Sequence, residues 1–150
     1  MDGLSPDILQ MLGRRVSTLT KKYEGEQNCK RKTVVAIAFK KMNGGVQEIA
    51  HWVNRPLHND PTRCTDVVGG CGCLHSEVQA VLALLRAGFH FAPEDLILAV
   101  TYSPCSSCAH VIGASLAIRQ VYWLEDTLSD MRGIDILRQT VQIAEIIIRA

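Results

Sequence analysis

Net charge is nearly missing from this chain. Sixteen Lys and Arg balance fifteen Asp and Glu, a formal charge of +1 over 150 residues. A domain that grips long nucleic acid needs a concentrated basic face, so DNA or RNA strands are not expected partners. A small anion needs only one or two local cations and stays admissible. Long apolar runs are missing as well. No stretch reaches the roughly 18 residues of a membrane helix. The opening MDGLSPDILQ lacks the basic and long apolar regions of a secretion signal. The expectation is a soluble, cytoplasmic protein with no membrane partner. Repeats, linkers and low-complexity tracts are absent too. Residues 1–150 are therefore expected to form a single domain, and 47% apolar with 21% charged residues is an ordinary globular composition.

Cysteine, by contrast, is well represented. Six cysteines in a reducing compartment are thiols or metal ligands sooner than disulfides. Buried free thiols are the plain alternative for any one of them.

Hydrophobic periodicity sets out the elements. Ser5-Pro6-Asp7 has the form of an N-cap, an N1 proline and a first-turn acid. Ile8, Leu12, Val16 and Leu19 follow at helical spacing, predicting a helix to about Tyr23. TVVAIAF (33–39) is a continuous apolar run suited to a strand buried on both faces. Asn43-Gly44-Gly45 signals a turn, and VQEIAHWV (46–53) a returning strand, together a hairpin. The stretch 54–74, with Pro56, Pro61, glycines and cysteines, reads as a loop. Val78, Val81, Leu82 and Leu85 then form a helical stripe from His75 to near Gly88. LILAVT (96–101) is a third strand, Cys105 to about Ile118 a helix, and VYWL (121–124) a fourth strand. Residues 130–140 are expected as a helix and VQIAEIII (141–148) as a fifth strand. The order α-ββ-α-β-α-β-α-β predicts a three-layer α/β/α fold. Its five-stranded mixed sheet would carry an antiparallel N-terminal hairpin and mostly parallel remaining strands. Sites in such sheets lie at the carboxyl ends of strands.

Two short signals carry chemistry. His75-Ser76-Glu77 opens one helix, and Pro104-Cys105-Ser106-Ser107-Cys108 opens another. Alone, a histidine is more often a cap or core residue, and a Cys-x-x-Cys is as readily a redox pair as half a metal site. Together they offer one imidazole and two thiolates, three zinc ligands that leave a fourth position open. A structural zinc usually closes that position. Glu77, on the first turn, can reach a water there without binding the metal. His-x-Glu with Pro-Cys-x-x-Cys is the signature of zinc-dependent nucleobase deaminases. Glu77 is expected to take a proton from the attacking water. It would deliver that proton to the ring nitrogen beside the amino-bearing carbon, and a second one to the departing ammonia.

On these residues the chain resembles the cytidine and deoxycytidylate deaminase superfamily, in particular the short phage and bacterial dCMP deaminases. The likeness runs from about Asn28 to the C-terminus. It lies in NCKRKTVVAIAF (28–39), LHSEVQAV (74–81), TYSPCSSCA (101–109) and VYWLEDTLSDMRGIDIL (121–137). It implies His75, Cys105 and Cys108 as ligands of a catalytic zinc and Glu77 as the proton shuttle. Asn54 is implied as a contact to the base, although by residue type it suits a turn equally well. Ser103 is implied at the rim of the site. The segment WVNRPLHNDP (52–61) departs from the family's glycine-rich pattern and is similar to tRNA adenosine deaminases. Some relatives carry a tyrosine and a basic residue near the nucleotide phosphate after the fourth strand, where this chain has Trp123-Leu124-Glu125 following Tyr122. Arg31, Arg55 and Arg132 are the candidate phosphate partners.

Some of these relatives hold a second, structural zinc. The resemblance implies Cys29, Cys64, Cys71 and Cys73 as its ligands, with His58 or His51 as substitutes. Four buried thiols are the alternative. The implied reaction is conversion of dCMP to dUMP with release of ammonia. Free (deoxy)cytidine or another aminated nucleobase is the alternative substrate, and a non-catalytic zinc-binding protein or a Cys105/Cys108 redox pair the alternative class. The resemblance also implies a homo-oligomer, a trimer or hexamer, and apolar VYWL and the IAEIII strand suggest themselves as subunit contacts.

Overall fold

The computed structural model describes residues 3–26, 29–67, 71–87 and 92–147. Asn28, Gly88 and Ile148, named above as ends of segments, lie outside them. Among the described residues, nine α-helices and strands follow in the expected order. These are α1 (Pro6–Tyr23), β1 (Val35–Met42), β2 (Gly45–Val53), α2 (Ser76–Arg86), β3 (Leu96–Tyr102), α3 (Ser106–Ser115), β4 (Gln120–Glu125), α4 (Arg132–Thr140) and β5 (Ile143–Ile146). Short 3-10 turns punctuate the loop after β2 and the approach to β3.

The strands form one sheet in the order β2-β1-β3-β4-β5. β1 runs antiparallel to both neighbours, β2 and β3, while β3, β4 and β5 are mutually parallel. Side-chain alternation along the strands feeds two cores. Ala36, Ala38, Leu98, Val100, Val121 and Trp123 meet α2, α3 and α4 on one face. Val35, Ile37, Phe39, Ile97, Ala99, Tyr122 and Leu124 meet α1 on the other. Each fully buried aliphatic side chain, such as Leu12 or Val81, contributes about 1.5–3 kcal/mol.

Local chemistry explains the boundaries. The Ser5 hydroxyl accepts from the Ile8 N–H at 3.3 Å, with Pro6 at the first helical position of α1. VYWL is spent on the core, with Val121, Tyr122 and Trp123 at most 1% exposed. It therefore offers no subunit surface. Among the described residues, no helix is long and apolar enough to cross a membrane.

Two connections place the site. β3 ends at Tyr102, and three residues later Cys105 stands at the N-cap of α3. After β2, Arg55 and Leu74 exchange backbone hydrogen bonds at 3.1 and 2.6 Å, closing the long loop and delivering His75 to the N-cap of α2. α2 and α3 pack side by side on one face, so their N-termini open together.

Candidate metal centre and active site

Both helices begin on a residue whose side chain does not cap its own helix: His75 for α2 and Cys105 for α3. Those side chains turn to each other instead. Cys108 Sγ lies 3.1 Å from His75 Nδ1, and Cys105 Sγ lies 4.0 Å from the same nitrogen. All three ligand atoms fall within 4.8 Å of one another. A tetrahedral zinc with ordinary Zn–S and Zn–N bonds needs N···S separations of about 3.6 Å, which these two distances bracket. Exposure falls from His75, open to solvent, through half-buried Cys105 to buried Cys108. A ligand can therefore approach from the imidazole side.

The protonation chemistry fits a dication. Hydrogen bonds from Cys108 and then His75 bring the Cys105 thiol down to about 4. Cys108 moves the other way, raised by its bond to Cys105 and by burial. Two adjacent sulfurs cannot both ionise without a cation between them. His75 is raised by its contact with Cys105. A soft dication would hold both sulfurs as thiolates and the imidazole as a neutral donor.

Glu77 stands on the first turn of α2, only 5% exposed. Burial raises its carboxyl above the ordinary range, against the pull of its backbone hydrogen bond and the His75 charge. The fully buried Ser76 donates its hydroxyl to Glu77 Oε1 at 3.1 Å. The carboxyl is thus oriented by a hydroxyl next to it in sequence.

The turn that carries Cys105 is held by the β4–α4 loop. The Ser103 N–H donates to the Glu125 carbonyl at 2.8 Å. The Thr127 N–H donates to Ser103 Oγ at 2.6 Å, and the Thr127 hydroxyl donates to the Ser103 carbonyl. Asp130 Oδ2 accepts from the Ser106 N–H and hydroxyl at 2.9 and 2.8 Å. It supplies from a distance the cap that Cys105 does not provide. Gly133, at the start of α4, lies so close that a Cβ there would sit 1.9 Å from the Pro104 carbonyl oxygen. Ser103 is 2% exposed, and its hydroxyl and both backbone groups are engaged in this lacing.

Asn54 continues the β1–β2 ladder through its N–H to the Val34 carbonyl. Its side chain accepts from the Val34 N–H and donates to the Lys32 carbonyl, both at 2.7 Å. Gln79 reaches back from α2 to the carbonyls of Val53 and Leu74, and accepts from Arg55 Nε at 3.3 Å. The Asn54 amide thus ties the end of β2 to the entry of β1, and Gln79 binds that end of the hairpin to α2.

The other four cysteines also converge. The Sγ atoms of Cys29, Cys64, Cys71 and Cys73 lie within 4.8 Å of one another, and Cys29 and Cys71 are 3.9 Å apart. That is far beyond a disulfide bond. Four sulfurs at Zn–S bond lengths sit about 3.8 Å from one another on a tetrahedron. The Lys30 N–H donates to Cys64 Sγ at 3.3 Å, and this is the main reason the Cys64 thiol falls to about 7. Cys71 and Cys73 are raised by burial. Neither histidine named as a substitute belongs to the cluster, and His51 pairs with the Tyr23 hydroxyl at 3.2 Å. An open cleft of about 410 Å³ between the start of α1 and β5 shares no residue with either group.

A three-layer α/β/α fold with an imidazole and two cysteine sulfurs gathered at its helix ends, and a buried acid two residues from the imidazole, defines a zinc-binding deaminase fold. The family model for the cytidine and deoxycytidylate deaminase zinc-binding region matches residues 12–125, and the chain belongs to that family. No curated protein matches it. Among solved structures, the dCMP deaminase of cyanophage S-TIM5 in complex with dCMP and dUMP is similar, with 24% identity and a TM-score of 0.70 over 95% of this chain and 99% of that one. RibD of Acinetobacter baumannii is 18% identical, with a TM-score of 0.61 over 95% of this chain and 35% of its own. A guanine deaminase from Nitrosomonas europaea is 12% identical, with a TM-score of 0.54 over 97% and 78%.

Proposed function

We propose that this protein is a zinc-dependent hydrolytic deaminase that converts dCMP to dUMP and releases ammonia. The observation that carries this reading is the meeting of His75 Nδ1, Cys105 Sγ and Cys108 Sγ within 4.8 Å, two residues from buried Glu77. Three donors leave one corner free, as a catalytic zinc requires. When bound, the zinc supplies Lewis acidity that makes water a competent nucleophile.

Glu77 accepts a proton from the attacking water and passes it to the ring nitrogen adjacent to the amino-bearing carbon. A C–O bond forms; Glu77 then takes the remaining proton of the added hydroxyl and delivers it to the amino group, and the C–N bond breaks to leave a carbonyl and ammonia. A carboxyl raised by burial is suited to both giving and taking a proton near neutral pH. Ser76 steadies it between the two transfers. Asn54 and Ser103, assigned to the substrate from the family pattern, shape the base pocket chiefly by fixing the β1 entry and the Cys105 turn.

The choice of dCMP is supported by the cyanophage dCMP deaminase, which this chain covers almost end to end. RibD and the guanine deaminase share the fold, so the decisive test is a direct one. Ammonia release is measured over dCMP, CMP, deoxycytidine, cytidine, adenosine and guanine. Activity confined to dCMP is expected, and preferred release from guanine or adenosine would overturn the substrate assignment.

A second zinc on Cys29, Cys64, Cys71 and Cys73 belongs to this reading. It closes a tetrahedral site and fixes the loop one residue before Leu74-His75. Assembly into a trimer or hexamer is part of it too, with Leu82 and Leu85 of α2 as available apolar surface, 56% and 51% exposed. Light scattering in solution reads that number directly.

A further inference from the structure

We propose that Asn43 is a site of covalent self-modification, at which the backbone nitrogen of Gly44 displaces the side-chain amide and leaves aspartate and isoaspartate in its place. The inference is independent of the deaminase reading. Asn43 and Gly44 form the turn of the β1–β2 hairpin, closed by the pairing of Met42 with Gly45. Both turn residues are exposed, so water reaches them. Gly44 holds φ at +79°, a left-handed conformation that glycine adopts without strain. A Cβ built there would meet nothing within 4 Å. Attack on Asn43 is therefore crowded neither by a side chain at Gly44 nor by a neighbour outside the turn.

The step needs only the turn and water. The Gly44 nitrogen forms a bond to Asn43 Cγ, the Cγ–Nδ2 bond breaks, and the proton from Gly44 leaves with ammonia. Water then opens the cyclic imide. Cleavage at one carbonyl gives aspartate. Cleavage at the other gives isoaspartate, in which the main chain runs through the side-chain carbon.

What selects Asn43 is the state of the nitrogen that follows it. Among the described residues, no hydrogen bond holds the Gly44 N–H or the Asn43 side chain. After Asn54, the Arg55 N–H donates to the Leu74 carbonyl at 3.1 Å, and the Asn54 amide is itself bound at both ends. After Asn59, the Asp60 N–H donates to the Leu57 carbonyl at 3.2 Å, and the Asp60 side chain crowds that nitrogen. Each product adds one negative charge, taking the formal charge of the chain from +1 to zero and weakening the repulsion between copies. Isoaspartate also lengthens the turn and loosens the Met42–Gly45 pair. Asn54, on the way to the metal centre, lies at the opposite end of the hairpin.

The test incubates the zinc-loaded full-length protein at mildly alkaline pH, folded and in guanidinium chloride, and then digests it with trypsin. Residues 42–63 are released as one peptide, because Pro56 protects the bond after Arg55. Asn43, Asn54 and Asn59 are therefore compared within a single fragment. Tandem mass spectrometry locates the amide-to-acid mass change, and labelling by an isoaspartyl methyltransferase counts the isoaspartate. In the folded protein, conversion is expected at Asn43 and not at Asn54 or Asn59. It is expected to rise with pH, to approach the rate of the unfolded chain and to shift the isoelectric band toward acid. Asn43→Gln, whose longer side chain closes a larger ring slowly, is expected to lose both the mass change and the methyl label. An Asn43 that keeps its amide in the folded protein while it converts in guanidinium would overturn the proposal. So would conversion at Asn54 or Asn59 ahead of Asn43, or a methyl label that survives Asn43→Gln.

Discussion

Asp130 caps α3 from 24 residues downstream, accepting the Ser106 N–H at 2.9 Å next to the ligand Cys105. The usual capping position is occupied by a sulfur turned toward His75. A carboxylate from the β4–α4 loop therefore satisfies the helix end, and its charge favours the positive end of the helix dipole. Removal of Asp130 by Asp130→Ala is expected to lower Tm by a few degrees and to speed zinc loss to a chelator, measured with a colorimetric zinc dye. The backbone and hydroxyl bonds from Ser106 hold the Asp130 carboxyl at about 2. Since that value lies below the unfolded one, the cap is fully present above the ordinary carboxylate range. It is lost only as pH falls through about 2.

Gly133 tests the same contact by sterics. A Cβ there would meet the Pro104 carbonyl oxygen at 1.9 Å and the Cys105 carbonyl carbon at 2.9 Å. Both neighbours are backbone, so they cannot rotate away. Gly133→Ala is expected to cost about 3 kcal/mol or more in urea denaturation. A loss below about 0.5 kcal/mol, the range of a neutral surface change, would show that α4 does not press on the Cys105 turn.

The metal-free protein should show one reactive sulfur at the centre. With Cys105 at about 4, its thiolate is present throughout the neutral range, while Cys108 stays protonated. Iodoacetamide labelling of Cys105, followed by mass spectrometry, is expected to reach its plateau rate above about pH 5. An ordinary thiol would still be rising through about 8.5. Loaded zinc should protect both cysteines. A disulfide between them that forms and reverses with the metal bound would favour the redox reading instead.

Zinc content separates the two clusters. Wild-type protein is expected to carry about two zinc ions per chain, and Cys73→Ser about one, with a loss of about 4 kcal/mol or more in stability. One zinc in the wild type would assign Cys29, Cys64, Cys71 and Cys73 as plain buried thiols.

Much of this was legible in the sequence because local rules and tertiary packing agree. The N-cap and periodicity of α1, the hairpin turn at Asn43-Gly44 and the apolar strands all appear where pattern places them. The antiparallel β1–β3 pairing is not encoded locally, since pattern names strands and not their neighbours. His-x-Glu and Cys-x-x-Cys were readable because their spacing is local and their helices are strongly periodic. The lacing of Ser103 and Ser106 by Thr127 and Asp130 was not, because such bonds join distant segments through ordinary polar residues.

The most direct test removes the proposed proton carrier while keeping the metal. Glu77→Gln preserves size and the hydrogen bond with Ser76 but cannot cycle a proton. Ammonia release from dCMP by zinc-loaded Glu77→Gln is expected to fall at least about 100-fold, with metal content equal to the wild type. A variant that keeps zinc and turns over dCMP at a near-normal rate would contradict the central claim.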